Sequence, residues 1–285
     1  MKVIGYGDNV VDRYVNKKIM FPGGNAVNFA VYAKESGLDA SLLLNFADDR
    51  EADHIIDSMK EMGIGLTGCR REFGATTERC DVNLVEGDRV FIADDLRETK
   101  AAPPLLTEKD LRYLDTFDLV HSGCYAAVES EIAKLKELKG LVTFDFSVEP
   151  EFKEDPYLEQ ICPYIDMALF SSEGMDQEEI HVLQKKVYDM GTKYILTTKG
   201  TDGQILFDGE TYYTGIVELV EAVDTMGAGD SFFTSFVCTL LKEGWTKKNP
   251  LTNQMINTAF HTAAKFSAQN CLREGAFGYA REMED

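Results

Sequence analysis

The chain has 285 residues, 44% of them hydrophobic and 27% charged, which is the composition of a globular protein with room for one large domain or two of ordinary size. A formal net charge of −20 argues against nucleic acid as a partner, because phosphate backbones are held by clustered lysine and arginine. No stretch nears the roughly 18 consecutive apolar residues of a membrane-spanning helix.

Met1-Lys2-Val3-Ile4-Gly5 enters a strand-like run at once and leaves no room for a signal peptide, so the expectation is a cytoplasmic protein. The six cysteines (Cys69, Cys80, Cys124, Cys162, Cys238 and Cys271) form no C-x-x-C pair and read as reduced thiols. His54, His121, His181 and His261 lack zinc-site spacing.

In chain order, Val3–Tyr6 reads as a short strand, and Ala26–Ser36 as a helix closed by Gly37, where a left-handed residue is tolerated. Ser41–Phe46 is the next strand, followed by a helix over Asp53–Met62 that ends at Gly63. Strands follow at Leu119–His121, Leu141–Phe146, Met167–Phe170 and Tyr194–Thr197, separated in part by helices over Ser130–Leu138 and Gln177–Met190. This alternation predicts an α/β fold, a parallel sheet covered by helices on both faces.

Two stretches break the pattern. Val10–Phe21 alternates loosely without a helix, and Thr76–Ala93 reads as paired strands around the turn Glu86-Gly87-Asp88. They predict a small second sheet, either a lid over the carboxyl ends of the main strands or a decorative edge hairpin.

The most informative segment is Asp224-Thr225-Met226-Gly227-Ala228-Gly229-Asp230, with a strand-like approach before it and an apolar helix-like run after it through Leu241. Gly227, Ala228 and Gly229 then sit at a helix N-terminus, where unpaired N–H groups and the helix dipole form an anion site without a lysine. A carboxylate beside an anion cradle needs a reason. Asp230 is suited to accept the proton of a hydroxyl that attacks phosphorus. The plainer alternative, a dipole-complementing aspartate after a tight turn, would hold for an isolated G-x-G-D.

Near the other end, Gly23-Gly24-Asn25-Ala26-Val27-Asn28 opens a helix. Asn28 can donate to and accept from a sugar hydroxyl, and Asp8 and Asp12 flank the end of the first strand, where carboxylates can anchor vicinal hydroxyls. Each of these three, taken singly, is equally a turn or capping residue. Leu196-Thr197-Thr198-Lys199-Gly200-Thr201-Asp202-Gly203 is a strand end and glycine turn, and Arg89 lies on the predicted hairpin.

Together, Gly-Gly-x-x-x-Asn near the start and Asp-Thr-Met-Gly-Ala-Gly-Asp near the end resemble the two signatures of the PfkB (ribokinase-like) carbohydrate kinases, over essentially the whole chain. The resemblance implies one kinase domain over residues 1–285, a Rossmann-like three-layer core, and a β-lid from segments near 10–22 and 75–95. It also implies MgATP as donor, Asp230 as base and Gly227, Ala228 and Gly229 as anion hole. Asp12, Gly24 and Asn28 would bind substrate, and Thr198, Lys199, Gly200 and Gly203 would bind nucleotide. Asp224 matches a position associated in many members with a monovalent cation, K+.

Asp88-Arg89-Val90-Phe91, Phe117-Asp118-Leu119-Val120-His121 and Phe144-Asp145-Phe146-Ser147 resemble a subgroup acting on sugar–amino acid conjugates of the fructoselysine type, with Arg89 a candidate substrate contact. Departures from the family pattern are Ser171-Ser172-Glu173-Gly174, where Glu173 would meet Mg2+ through water, Ala47-Asp48-Asp49-Arg50-Glu51, and Thr234-Ser235 after the base. A kinase for another ketose, a sugar acid or a nucleoside is the nearer alternative. A silent sugar-binding protein is a more distant one. A dinucleotide oxidoreductase lacks its G-x-G-x-x-G after the first strand. Oligomeric state is not readable from the residues themselves; the family resemblance implies a homodimer through the lid.

Overall fold

The structure is a computed structural model, and it describes residues 1–85, 88–95 and 100–283; of residues 88, 89 and 93–95 it describes the main chain. The chain opens with strand β1 (Lys2–Gly7), the hairpin strands β2 (Val10–Tyr14) and β3 (Ile19–Gly23), and helix α1 (Asn25–Glu35). Then come β4 (Asp39–Phe46), α2 (Arg50–Glu61), β5 (Arg70–Arg71), β6 (Glu78–Val85), β7 (Asp88–Asp95) and α3 (Glu108–Leu114). The middle holds β8 (Leu119–Gly123), α4 (Glu129–Ile132), β9 (Leu141–Asp145), α5 (Asp155–Ile161), β10 (Met167–Ser171), α6 (Gln177–Asp189) and β11 (Tyr194–Thr198). The chain closes with β12 (Gln204–Phe207), β13 (Tyr212–Gly215), α7 (Ala228–Lys242), α8 (Asn253–Asn270) and β14 (Arg281–Glu282).

Among the described residues the strands form two sheets, ordered β13-β12-β11-β10-β9-β8-β1-β4-β5 and β14-β3-β2-β6-β7. The larger is parallel from β5 to β11, with β12 and β13 added antiparallel at one edge. Period-2 alternation places its side chains in two cores. Leu42 and Leu44 of β4 face one side with α1, α7 and α8, while Leu43 faces the other with α3, α5 and α6. Met167 and Leu169 against Ala168 and Phe170 repeat the pattern in β10. The three layers are the ones the alternation of strands and helices predicts.

Helix α1 is buried from Ala26 to Ala33 because it lies between the sheet and α7. Such close approach needs a residue without a side chain below it: a Cβ on Gly5 of β1 would stand 2.3 Å from the Ala26 carbonyl oxygen.

Three local expectations are corrected. Ser130–Leu138 is not one helix but the single turn of α4 followed by a 3-10 turn at Ala133–Leu135. The approach to Gly227 is not a strand, since β13 ends at Gly215 and no regular element intervenes. The sheet also gains the edge strands β12 and β13, where the sequence suggested only a turn. The second sheet occupies both stretches that break the alternation, and it takes a further strand, β14, from near the C-terminus. Glu86 and Gly87 of the expected turn lie outside the described residues.

Candidate active site

The carboxyl ends of the parallel strands share one rim, and the crevice beyond such a rim is where open α/β sheets hold ligands. Asp8 follows β1, Asp145 ends β9, Glu173 follows β10 and Thr198 ends β11. The N-termini of α1 and α7 meet at this rim through side chains.

Asp230, in the first turn of α7, accepts two amide hydrogen bonds. Asn28 Nδ2 donates to its Oδ2 at 2.6 Å, and Asn25 Nδ2 donates to its Oδ1 at 3.1 Å. The same Asn25 nitrogen donates to Asp145 Oδ2 at 2.9 Å. Asn25 Oδ1 faces His121 Nε2 at 2.9 Å, and His121 Nδ1 faces the Thr143 hydroxyl at 2.9 Å. Burial lowers the His121 pKa to about 3, so the ring is neutral. With Thr143 donating to Nδ1, the Nε2 hydrogen points at Asn25 and directs both amide hydrogens of Asn25 to the two carboxylates. The Asn28 Oδ1 is buried and has no hydrogen-bond partner among the described residues.

Asp8 spends both oxygens on the first turn of α1, accepting from the Asn25 amide at 2.7 Å and the Ala26 amide at 3.0 Å. Gly24, the residue before the helix, has no side chain to do this. Its φ of 104° belongs to the glycine region, and a Cβ there would stand 2.9 Å from Asp8 Oδ2. Asp8, expected to anchor vicinal hydroxyls, also caps α1 from another element. Burial, against these amides, raises its pKa.

Asp145 accepts from the Ser147 amide at 2.8 Å as well as from Asn25. Burial first, then the neighbouring Asp230 charge, raise its pKa to about 7. Asp12 is buried on β2 and packs where Gly23 has no side chain: a Cβ on Gly23 would stand 2.4 Å from Asp12 Oδ2.

At the anion turn, Gly227 adopts φ 70° and precedes α7. Among the described residues the amides of Gly227 and Gly229 have no protein acceptor, and a Cβ on Gly229 would meet nothing within 4 Å, so the space beside it is open. The expected trio of unpaired donors is corrected at Ala228, whose N–H donates to the Thr225 carbonyl at 3.1 Å and closes the turn.

Other expected site residues stand apart from this network. Lys199 is partly buried and exchanges main-chain bonds with Gly203 and Asp202, while Gly200 (φ 53°) and Gly203 (φ 99°) shape the turn after β11. Glu173 is exposed on the turn after β10. Arg89 lies in β7 opposite Leu84, and its side chain is outside the described residues. Asp224 is fully buried and accepts from the Tyr14 hydroxyl at 2.7 Å and from the Gly275 and Met226 amides at 2.8 and 2.9 Å. A carboxylate offers about four acceptor positions, so this one keeps little for a cation.

The sequence reasoning missed Asn25, His121, Thr143 and Asp145 as a connected group. The signal was present in the subgroup-like strings ending at His121 and spanning Asp145, but not their convergence.

The fold is that of ribokinase-like kinases. Fructokinase from Vibrio cholerae O395, solved in its fructose-, ADP- and calcium-bound form, superposes with a TM-score of 0.74 at 18% identity over 98% of this chain and 94% of its own. The model of the pfkB family of carbohydrate kinases matches residues 1–279, and the chain belongs to that family. It is 33% identical to fructosamine kinase FrlD of Bacillus subtilis (strain 168) over 98% of this chain and 94% of that relative. It is 32% identical to fructoselysine 6-kinase of Escherichia coli (strain K12) over 84% of this chain and 87% of that relative. The protein is thus a carbohydrate kinase, an enzyme that transfers a phosphoryl group to a sugar hydroxyl.

Proposed function

We propose that the chain transfers the γ-phosphoryl group of MgATP to the 6-hydroxyl of fructoselysine or a closely related fructosamine. One observation carries the chemistry: Asp230 is held by Asn25 and Asn28 beside the open, unpaired amide of Gly229. The incoming hydroxyl attacks phosphorus in line and Asp230 takes its proton. The Gly227 and Gly229 amides and the α7 dipole stabilise charge on the transferring group. The two fructosamine-directed relatives, each more than 30% identical, support this choice of acceptor.

On this reading Asp12, Gly24 and Asn28 contact the sugar, Asn28 through its buried, unpartnered oxygen. Arg89, whose main chain lies in the second sheet, is a candidate substrate contact. Thr198, Lys199, Gly200 and Gly203 line the nucleotide, a placement that fits a strand end on the same rim. Mg2+ supplies charge neutralisation on the phosphates. Glu173, exposed on the turn after β10, would reach the ion through water. Asp224 can give a K+ ion at most a remaining lone pair, so a monovalent cation here would rest on main-chain carbonyls; rates in KCl and in tetramethylammonium chloride compare the two cases. Six free thiols suit a reducing, ATP-containing cytoplasm.

The test is ADP release across an acceptor panel of fructoselysine, fructose, a ketohexonate and a nucleoside, with NMR location of the phosphate. Highest kcat/KM on fructoselysine with phosphate on O6 is the expected result. Preference for any other acceptor overturns the assignment and leaves the carbohydrate kinase.

A further inference from the structure

We infer that Asp145 recognises positive charge on the acceptor, receiving the secondary ammonium group attached to C1 of an aminated ketose while Asp230 addresses the hydroxyl. The inference rests on the fructosamine reading above and adds the residue that makes the amine matter.

Three carboxylates converge on the first turn of α1, and their surroundings differ. Asp8 has two amides of a helix N-terminus, and Asp230 lies in the first turn of α7, so both benefit from a helix dipole. Asp145 ends a strand and has no such field. Among the described residues no lysine or arginine contacts it; its partners are the Ser147 amide and the Asn25 side chain. Only 9% of its surface is exposed, and the charges that act on it from Asp230 and Asp8 are both negative. A buried carboxylate with like charges around it and no cation is costly, and a ligand that brings a cation offsets part of that cost.

The surroundings keep this carboxylate in place rather than neutralise it. The Asn25 amide cannot rotate to relieve it, because neutral His121 holds the Asn25 oxygen. Ser147, whose amide bonds Asp145, has φ 55°, a left-handed conformation uncommon for a residue with a side chain. Local strain of this kind persists where the surroundings enforce it, often at ligand sites. Burial and Asp230 hold Asp145 near its titration point, and a bound ammonium draws it to the ionised form.

The geometry suits one substrate spanning both groups. Asp145 Oδ2 and Asp230 Oδ1 hydrogen-bond the same nitrogen, so they lie less than two hydrogen-bond lengths apart. A ketohexofuranose carries C1 and C6 on the two carbons that flank its ring oxygen, so its ammonium and its 6-hydroxyl can each turn toward one of two neighbouring carboxylates. An uncharged hexose would leave Asp145 buried against apolar or hydroxyl groups without compensation.

The experiment measures kcat/KM for fructoselysine and for an analogue in which an ether oxygen replaces the amine nitrogen, in wild type, Asp145→Asn and Asp145→Ser. Circular dichroism and thermal melts establish that each variant is folded. The wild type should prefer the amine, and both variants should lose about tenfold or more of that preference, the scale expected on removing one partner of a buried charge pair. An amine-to-ether ratio unchanged in the folded variants overturns the inference and leaves the fructosamine reading standing. An equal loss on both acceptors also overturns it, making Asp145 a support for Asp230. A wild type that shows no preference for the amine overturns the acceptor assignment itself.

Discussion

Asn25 illustrates how much one side chain does at this rim. Its main-chain N–H is capped by Asp8, its amide nitrogen joins Asp145 to Asp230, and its oxygen is held by His121. The sequence made Asp230 and Asn28 legible, because each sits in a short string with a chemical reason. Asn25, His121 and Asp145 were not, since their partners lie 96 to 205 residues away and only folding brings them together. Asp230→Asn should lower kcat by about 10²- to 10⁴-fold, the usual loss for a general base. Its melting temperature and nucleotide affinity should stay near wild type, as checked by calorimetry and titration. A rate equal to wild type would refute the assignment.

Asp145 gives a pH prediction. Its folded pKa is raised from 3.8 to about 7, so the folded state holds its proton more tightly than the unfolded chain. Its contribution is most favourable below the unfolded value and is lost as pH rises through about 7. The stability of Asp145→Asn relative to wild type should therefore improve steadily between pH 4 and pH 7. Denaturant unfolding at several pH values measures this, and a flat difference would contradict the raised pKa.

Among the elements, two glycines of one turn make opposite predictions. Gly227 has φ 70°, and a Cβ there would stand 2.3 Å from the Tyr32 hydroxyl, so Gly227→Ala should destabilise by about 1–3 kcal/mol. Gly229 lies in the first turn of α7 over open space, where alanine is the better helix former. Gly229→Ala should leave the melting temperature unchanged or raised. It should slow turnover by about tenfold to a hundredfold, because the methyl group displaces the phosphate from the amide. Thermal melts and steady-state rates on the two variants separate structure from function. The start of α7 was readable from its glycines, and the ends of α1 and α2 from Gly37 and Gly63, both with positive φ. The break of Ser130–Leu138 into single turns was not, because its apolar spacing serves a turn and a helix alike. Nor was the unstructured run from Ile216 to Asp224, whose apolar residues Ile216, Leu219 and Val220 mimic a strand but remain exposed.

At the scale of the molecule, alternation predicted the layers because buried parallel strands and their covering helices have different periods. It could not predict β14, a two-residue strand defined by pairing with β3 alone. The small sheet carries exposed Val85, Val90, Phe91 and Ile92 on β6 and β7, with β7 as an edge strand. Such an edge invites another chain, and the proposed lid-mediated homodimer would cover it. Analytical ultracentrifugation should find a dimer for the wild type and a monomer for a Val90→Lys, Ile92→Lys variant. A wild-type monomer at micromolar concentration would refute this assembly.

The Asn28–Asp230 bond joins positions 202 residues apart, so the reactive centre is absent until most of the polypeptide has emerged from the ribosome. Until then α1 can bury its apolar face on β1 and β4, but its two asparagine amides have no carboxylate from α7 to receive them. So distant a pairing makes the late arrival of α7, rather than growth of the early strands, the event that creates activity.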